Sequence, residues 1–240
     1  MRTRVRGYAV RVRVPVVLAL VWALCSGALA QSRNLAPGFT RLAAGDKVVI
    51  MPVDVELFSL SAGGVAEPRA DWTVSAQKHL DAALRKRMAG IKLDAAAMDE
   101  KGADEFAEQV SLHAAVAQAV ALHHGLAGNW ALPTKAGKLD WTFEDAMRPL
   151  RAKTGARYGL FLWVRDSYAS AERKVAMVAL ALLGIGVGGG AQVGYASLVD
   201  LETGRLVWFN RLARGSGDLR EEATADETAE ALLSEFPSVP

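Results

Sequence analysis

A chain of 240 residues with 51% apolar and 22% charged side chains has enough apolar surface to build one large domain, which excludes a disordered polypeptide. Lysine and arginine number 28 against 26 acids, and five of the basic residues stand among the first thirteen, so loss of that segment leaves 23 against 26, a net charge of −3. A mature charge of that sign argues against a nucleic-acid surface, which needs clustered positive charge.

The chain opens with Arg2, Arg4, Arg6, Arg11 and Arg13, continues as an apolar stretch from Val14 to Leu24, and reaches Ala28-Leu29-Ala30 before Gln31. A basic start, a short apolar middle and small residues at −3 and −1 predict a cleavable signal peptide over residues 1–30 and an exported, periplasmic product. The stretch is shorter than the roughly 20 residues of a membrane-spanning helix. Cys25 follows Leu24 rather than a small residue, which disfavours a lipid anchor there. Cleavage after Ala30 would leave a mature chain without cysteine, and so without a disulfide, thiolate metal site or cysteine nucleophile.

Residues 31–240 read as a single α/β domain. Lys47-Val48-Val49-Ile50-Met51 is a buried strand, and beyond Pro52 the residues Val53 to Leu57 alternate as a half-exposed strand. Pro52 cannot donate to a ladder, so it marks an end, an edge or a bulge. After a loop over 61–71, a helix starts near Thr73 with Leu80, Ala83, Leu84 and Met88 on one face and Gly90 as its stop. A short strand over 91–95 precedes a long helix over 104–126. Asp140-Trp141-Thr142 repeats Asp71-Trp72-Thr73, and both copies read as helix starts, the second helix closing at Gly155. Residues 158–164, Tyr-Gly-Leu-Phe-Leu-Trp-Val, are apolar on both faces and predict a central strand covered on each side. Strands over 193–201 and 205–212 flank Glu202-Thr203-Gly204 as an antiparallel hairpin. A last helix over 223–236 buries Ala225, Ala229, Leu232 and Phe236. The sum is a mixed sheet of about five strands ending in an antiparallel hairpin, flanked by helices.

One segment stands apart. Residues 171–190 form an apolar, glycine-rich stretch, uncharged from Val175 onward and ending in Gly188-Gly189-Gly190. Helix propensity carries it to about Leu183. Apolar runs of this length are usually core, so the first reading is a buried crossover between two strands. The second is a partner-facing or membrane-facing element presenting Met177, Leu180, Leu183 and Ile185.

Catalytic and cofactor patterns fail on context. Gly184-x-Gly186-x-x-Gly189 matches a dinucleotide fingerprint, but a strand rather than a helix follows it, and Asp200 comes too early for the ribose acid. Ser75-Ala76-Gln77-Lys78 with Lys153-Thr154-Gly155 matches two of the three elements of penicillin-interacting serine enzymes; the Ser-Asp-Asn element is missing, and Lys153-Thr154-Gly155 reads as a helix tail. His113 and His124 stand about 16 Å apart along one helix, and His123 and His124 point in different directions, so no metal site is predicted. Asp54 and Glu56 share a strand face, which reads as a solvated edge. No catalytic residue, cofactor or metal ligand is assigned.

Three stretches carry a family resemblance. Lys47-Val48-Val49-Ile50-Met51-Pro52 resembles the opening strand of envelope proteins related to the curli secretion lipoprotein, the penicillin-binding-protein activator lipoproteins and the amino-terminal domain of TolB. Gly155-Ala156-Arg157-Tyr158-Gly159-Leu160-Phe161 resembles their glycine, alanine, acid and apolar-strand element, with Arg157 where an acid is usual. Residues 196–208, with Asp200-Leu201-Glu202-Thr203-Gly204 before Trp208, resemble their strand-turn-strand unit. The resemblance implies a sheet with flanking helices and a non-catalytic role in envelope assembly through protein contact. The functional expectation is thus a periplasmic accessory or interaction protein that binds an envelope protein or a second copy of itself. The alternatives are a penicillin-interacting serine hydrolase using Ser75 and Lys78, and a peripheral membrane-binding protein.

Overall fold

The computed structural model describes residues 33–91 and 93–238. The leader read in residues 1–30, with Cys25 and the cleavage site, lies outside the described residues. The elements in chain order are β1 (Lys47–Ile50), β2 (Asp54–Leu60), β3 (Ala66–Pro68), α1 (Ala70–Gly90), β4 (Asp94–Ala97), α2 (Glu100–Asp104), α3 (Ala107–Val120), α4 (Arg148–Thr154), β5 (Tyr158–Ala169), α5 (Ala171–Ala181), β6 (Gln192–Asp200), β7 (Leu206–Arg214) and α6 (Glu222–Leu232). The fold is α/β, a seven-stranded mixed sheet with helices on both faces.

β5 is the axis of the sheet. One side of it carries the antiparallel β6, which continues into the antiparallel β7. Along the other side β1 and β2 lie end to end, both parallel to β5. Val48 faces Tyr158 and Asp54 faces Trp163, so the β1–β2 column holds one residue more than β5 over the same span. The extra residue is accommodated at 51–53, where Pro52 has no N–H to give the ladder, and the column bulges there. The outer edge divides at the same place: β4 pairs with β1, and β3 pairs with β2.

Alternation along β5 builds two cores. Tyr158, Leu160, Leu162 and Val164 join Val48, Ile50, Val55 and Leu57 under α1 and α6, which supply Leu80, Leu84, Met88, Ala225, Ala229 and Leu232. Phe161 joins Val49, Met51, Tyr195, Val199 and Phe209 on the other face, under Ala117 and Val120 of α3, Leu150 of α4 and the intervening Leu139, Phe143 and Met147. A strand apolar on both faces needs this double cover, as the β5 sequence predicted.

The hairpin between β6 and β7 is where it was expected. Asp200 Oδ1 accepts from the backbone N–H groups of Glu202 (3.0 Å) and Thr203 (3.1 Å), which fixes the turn. Gly204 takes a φ of +68°, and a Cβ there would lie 1.9 Å from the Glu144 carbonyl oxygen, so glycine is needed for space as well as for conformation.

Several elements differ from the sequence reading. β3 sits inside the span read as a loop. β4 begins at Asp94, three residues later than the predicted start at 91, and α1 starts at Ala70 rather than Thr73. The helix expected over 104–126 is three pieces. Asp99 accepts the Gly102 N–H at 2.7 Å and starts α2 early; Phe106, buried and non-helical, separates α2 from α3; a π-helical turn over Ala121–Leu126 follows. In that turn His124 Nε2 meets the Arg33 carbonyl at 2.8 Å while Arg33 donates to the His124 carbonyl at 3.2 Å. The second Asp-Trp-Thr does not start a long helix. Thr142 bridges to Arg205 and accepts the Glu144 N–H at 2.9 Å, leading into a 3₁₀ turn before α4.

The largest correction concerns the run over 175–187. It is not a buried crossover: no residue of α5 is buried. β5 and β6 are antiparallel neighbours, and such strands need no connection across a sheet face. Both faces are already covered by other helices, so α5 projects from the end of the sheet.

Candidate functional site: an apolar arm between β5 and β6

The arm begins with a capped helix. Ser170 accepts the Arg173 N–H at 3.2 Å, and the Glu172 carboxyl is held below its usual range by its own backbone N–H and the Ser170 hydroxyl at that helix start. It ends in a glycine stop. Gly184, at φ +76°, donates to the Ala181 carbonyl (3.0 Å), and Ile185 donates to the Leu180 carbonyl (3.0 Å), the paired bonds of a Schellman motif. Gly184 of the apparent dinucleotide fingerprint is therefore a helix stop, with an extended segment after it and β6 beyond.

The root of the arm is tied down twice. Arg173 donates to the Gly188 carbonyl through Nε (3.1 Å) and Nη2 (2.9 Å), and to the Ser61 carbonyl through Nη1 (3.3 Å). One guanidinium thus holds both limbs of the arm and the β2–β3 turn together. At the return, Ala191 and Ser167 exchange backbone and side-chain bonds of 3.0–3.1 Å. Gly190 passes so close to β5 that a Cβ would lie 1.9 Å from the Ser167 carbonyl oxygen.

Below the root is a buried polar knot. The Asp166 carboxylate accepts from the Tyr168 hydroxyl, from Gln192 Nε2 (2.7 Å) and from the Ser167 N–H (2.9 Å). Gln192 Oε1 accepts from Arg214 Nε (2.8 Å) and from the Thr228 hydroxyl (3.2 Å). The Leu219 N–H reaches the Tyr168 hydroxyl at 2.7 Å. Burial raises the Asp166 carboxyl above its ordinary range against the opposing pull of these donors. Burial and the Asp166 charge together push Tyr168 upward. The knot joins β5, β6, β7 and α6 beneath the arm with every partner accounted for, which makes the root rigid.

The arm itself is apolar where water meets it. Val175, Val178 and Leu182 are 71%, 66% and 84% exposed, and Leu183 and Ile185 are 75% and 50% exposed. The first three stand at i, i+3 and i+7 and form a stripe on the outward face. Of the four residues singled out from sequence, Leu183 and Ile185 are exposed at the tip, while Met177 and Leu180 are half-buried, Met177 beside Gly189 of the returning segment. Sequence reasoning missed Val175, Val178 and Leu182; their spacing was the available signal, but nothing in it says which side of the helix the body covers.

The other sequence candidates fall elsewhere. Ser75 lies in the second turn of α1, its hydroxyl donating to the Asp71 carbonyl at 3.2 Å, with Lys78 exposed on the same helix. Lys153-Thr154-Gly155 closes α4, and Lys153 pairs with Glu105 at 2.8 Å. α1 and α4 pack on opposite faces of the sheet, so the Ser75–Lys78 pair and the Lys-Thr-Gly tripeptide do not meet. Asp54 and Glu56 both reach Arg165 on β5, at 2.7 and 3.4 Å. His113 is fully buried, stacked on Phe161 with ring centroids 3.9 Å apart, and lies 2.7 Å from the Ser197 hydroxyl. Among the described residues no group of three His, Cys, Asp or Glu side chains is placed to hold a metal ion.

Two clefts open on either side of the Pro52 bulge. One of about 740 Å³ lies between α1 and β4 and carries Gln77, Asp81, Arg85 and Glu100. Burial raises the Asp81 carboxyl there, opposed by Arg85 and reinforced by Glu100. The other, about 410 Å³, runs beneath α3 over Phe161, Trp163 and Tyr195.

No family model matches the chain, and no curated protein matches it. Among solved structures the chain is similar to the PelC dodecamer from Paraburkholderia phytofirmans, at 18% identity over 82% of this chain and 91% of that one, with a TM-score of 0.39. It is also similar to the LpoB C-terminal domain from Salmonella enterica, at 13% identity over 75% and 87% of the two chains and a TM-score of 0.29. A third similarity is to the lipoprotein GNA1162 from Neisseria meningitidis, at 10% identity over 79% and 98% and a TM-score of 0.30.

Proposed function

We propose that this chain is a non-catalytic accessory protein of the cell envelope, exported to the periplasm, that docks on another envelope component through the arm built on α5. The observation that carries this reading is the outward stripe of Val175, Val178 and Leu182 with the tip residues Leu183 and Ile185, all half or more exposed. Contiguous exposed apolar surface on a folded domain marks an interaction site. The leader-like features of residues 1–30 support the compartment. The resemblance to the envelope superfamily is supported by where its motif residues stand: Lys47 to Ile50 form β1, Gly155 caps α4 ahead of β5, and Asp200 and Gly204 build the hairpin turn.

Two measurements test it. Mass spectrometry of the exported product is expected to find Gln31 as the first residue; a product that keeps Met1, or a lipid on Cys25, removes the basis for a free periplasmic protein. A photo-crosslinking residue at Val178 or Leu183, in cells exporting the full chain, is expected to capture an envelope component that the same group at exposed Lys138 does not. Equal labelling from both positions would reject the arm as the docking element.

A further inference from the structure

We infer that the component which covers the arm is a lipid bilayer, entered from one side by α5 and the turn that follows it; the inference rests on the docking reading above and names its occupant. Seventeen residues, 175–191, carry no polar side chain at all, and no charged residue occurs between Lys174 and Asp200. The tip is bare in every direction, since each residue from 181 to 186 is exposed. A protein partner covers one side of a helix and leaves a polar rim around the contact. Here the outward stripe and the turn opposite it are apolar alike, and no rim separates them. A hydrocarbon phase covers all sides at once.

Length agrees with this occupant. Residues 175–181 rise about 10 Å along the helix axis, and the turn at 182–185 prolongs the arm beyond that toward half of a hydrocarbon core of roughly 30 Å. The arm is thus long enough for one leaflet and too short to span, and among the described residues no helix is long and apolar enough to cross a membrane. Charge is placed at the depth of the headgroups. Lys174, one residue before the apolar run, is exposed, and a lysine at that position lays its stem along hydrocarbon while its ammonium meets lipid phosphate. A second uncharged tip stands beside the first: the β2–β3 turn from Ser61 to Val65 has no charged side chain, Val65 is 63% exposed, and Arg173 binds the turn to the arm's root. Two uncharged tips on one rigid end form a contact plane.

The test uses the product exported from cells that express the full chain, and vesicles of phosphatidylethanolamine and phosphatidylglycerol. Leu183→Cys, in a Cys25→Ser background, carries an environment-sensitive fluorophore, with Lys138→Cys as the control position. Addition of vesicles is expected to shift emission from position 183 to the blue and to make it quenchable by nitroxide-bearing lipids, while position 138 stays in water. The unlabelled double variant Leu182→Asp, Leu183→Asp is expected to lose at least about tenfold in vesicle partitioning and to keep the wild-type melting temperature. If the label at 183 stays in water with vesicles present, the bilayer is not the occupant. If position 183 is instead buried by a second copy without lipid, or crosslinks only to protein in cells, docking through the arm stands and the bilayer assignment falls.

Discussion

His113 shows what a single buried side chain does to the pH response of this fold. Its ring is stacked on Phe161, and burial pushes the imidazole down to about 3. The folded chain holds it neutral, whereas the unfolded chain takes up a proton near pH 6.5. The unfolded state therefore binds more protons between these values, and stability is full above about 6.5 and lost as the pH falls toward 3. From pH 7 to pH 5 this one group should remove about 2 kcal/mol. His113→Gln keeps a polar atom for Ser197 and deletes the titration, so urea unfolding at the two pH values is expected to show an acid loss smaller by that amount. Identical losses in the two proteins would mean that the ring is not buried as described. The sequence placed His113 on a helix and excluded shared ligation with His124, but a lone histidine there does not announce that it will be sealed between aromatic rings contributed by β5 and the segment before α4.

At the scale of elements, the long and strongly patterned pieces were legible. β5, the β6–β7 hairpin, α1 and α6 follow from a run apolar on both faces, from Glu202-Thr203-Gly204 and from apolar stripes, and their boundaries differ by no more than five residues. What was not legible depends on contacts distant in sequence. Three-residue β3 exists because it pairs with β2; the helix over 104–126 breaks because Phe106 is drawn into the core and His124 is drawn to Arg33. The arm was misplaced for a related reason. An all-apolar helix reads the same whether the body covers it or not, and only the antiparallel pairing of β5 with β6 decides. The contrast is measurable. Leu182→Asp or Leu183→Asp should change unfolding free energy by no more than about 0.5 kcal/mol, whereas Leu160→Ala in the double-covered strand should cost about 2–5 kcal/mol. Comparable losses at the two places would return the arm to the core.

The whole molecule depends on the lead-in before β1, from Arg33 to Asp46. Asn34 to Ala36 runs along β7: the Ala36 N–H donates to the Val207 carbonyl, and the Phe209 N–H donates to the Asn34 carbonyl, both at 2.9 Å. Leu42 is only 1% exposed and its N–H donates to the Pro237 carbonyl at 3.0 Å, so the start of the domain is fastened to its end. Starting the domain at Asp46 should cost about 3 kcal/mol or more from Leu42 and the lost cover, seen as a fall of roughly 10 °C in Tm. An unchanged Tm would show that the lead-in is not part of the fold.

The divided outer edge at Pro52 bears on how the protein behaves when crowded. An unpaired strand is a template for its neighbours, and the hazard grows with the length it offers in one register. Here that rim is dealt out to strands of four and three residues with a proline between the stretches they lean on. A second molecule has no continuous ladder to extend on that flank, so sheet-to-sheet fibre growth has little to start from. Clumping in concentrated solution should accordingly answer to detergent at the greasy tip rather than to agents that compete for backbone amides.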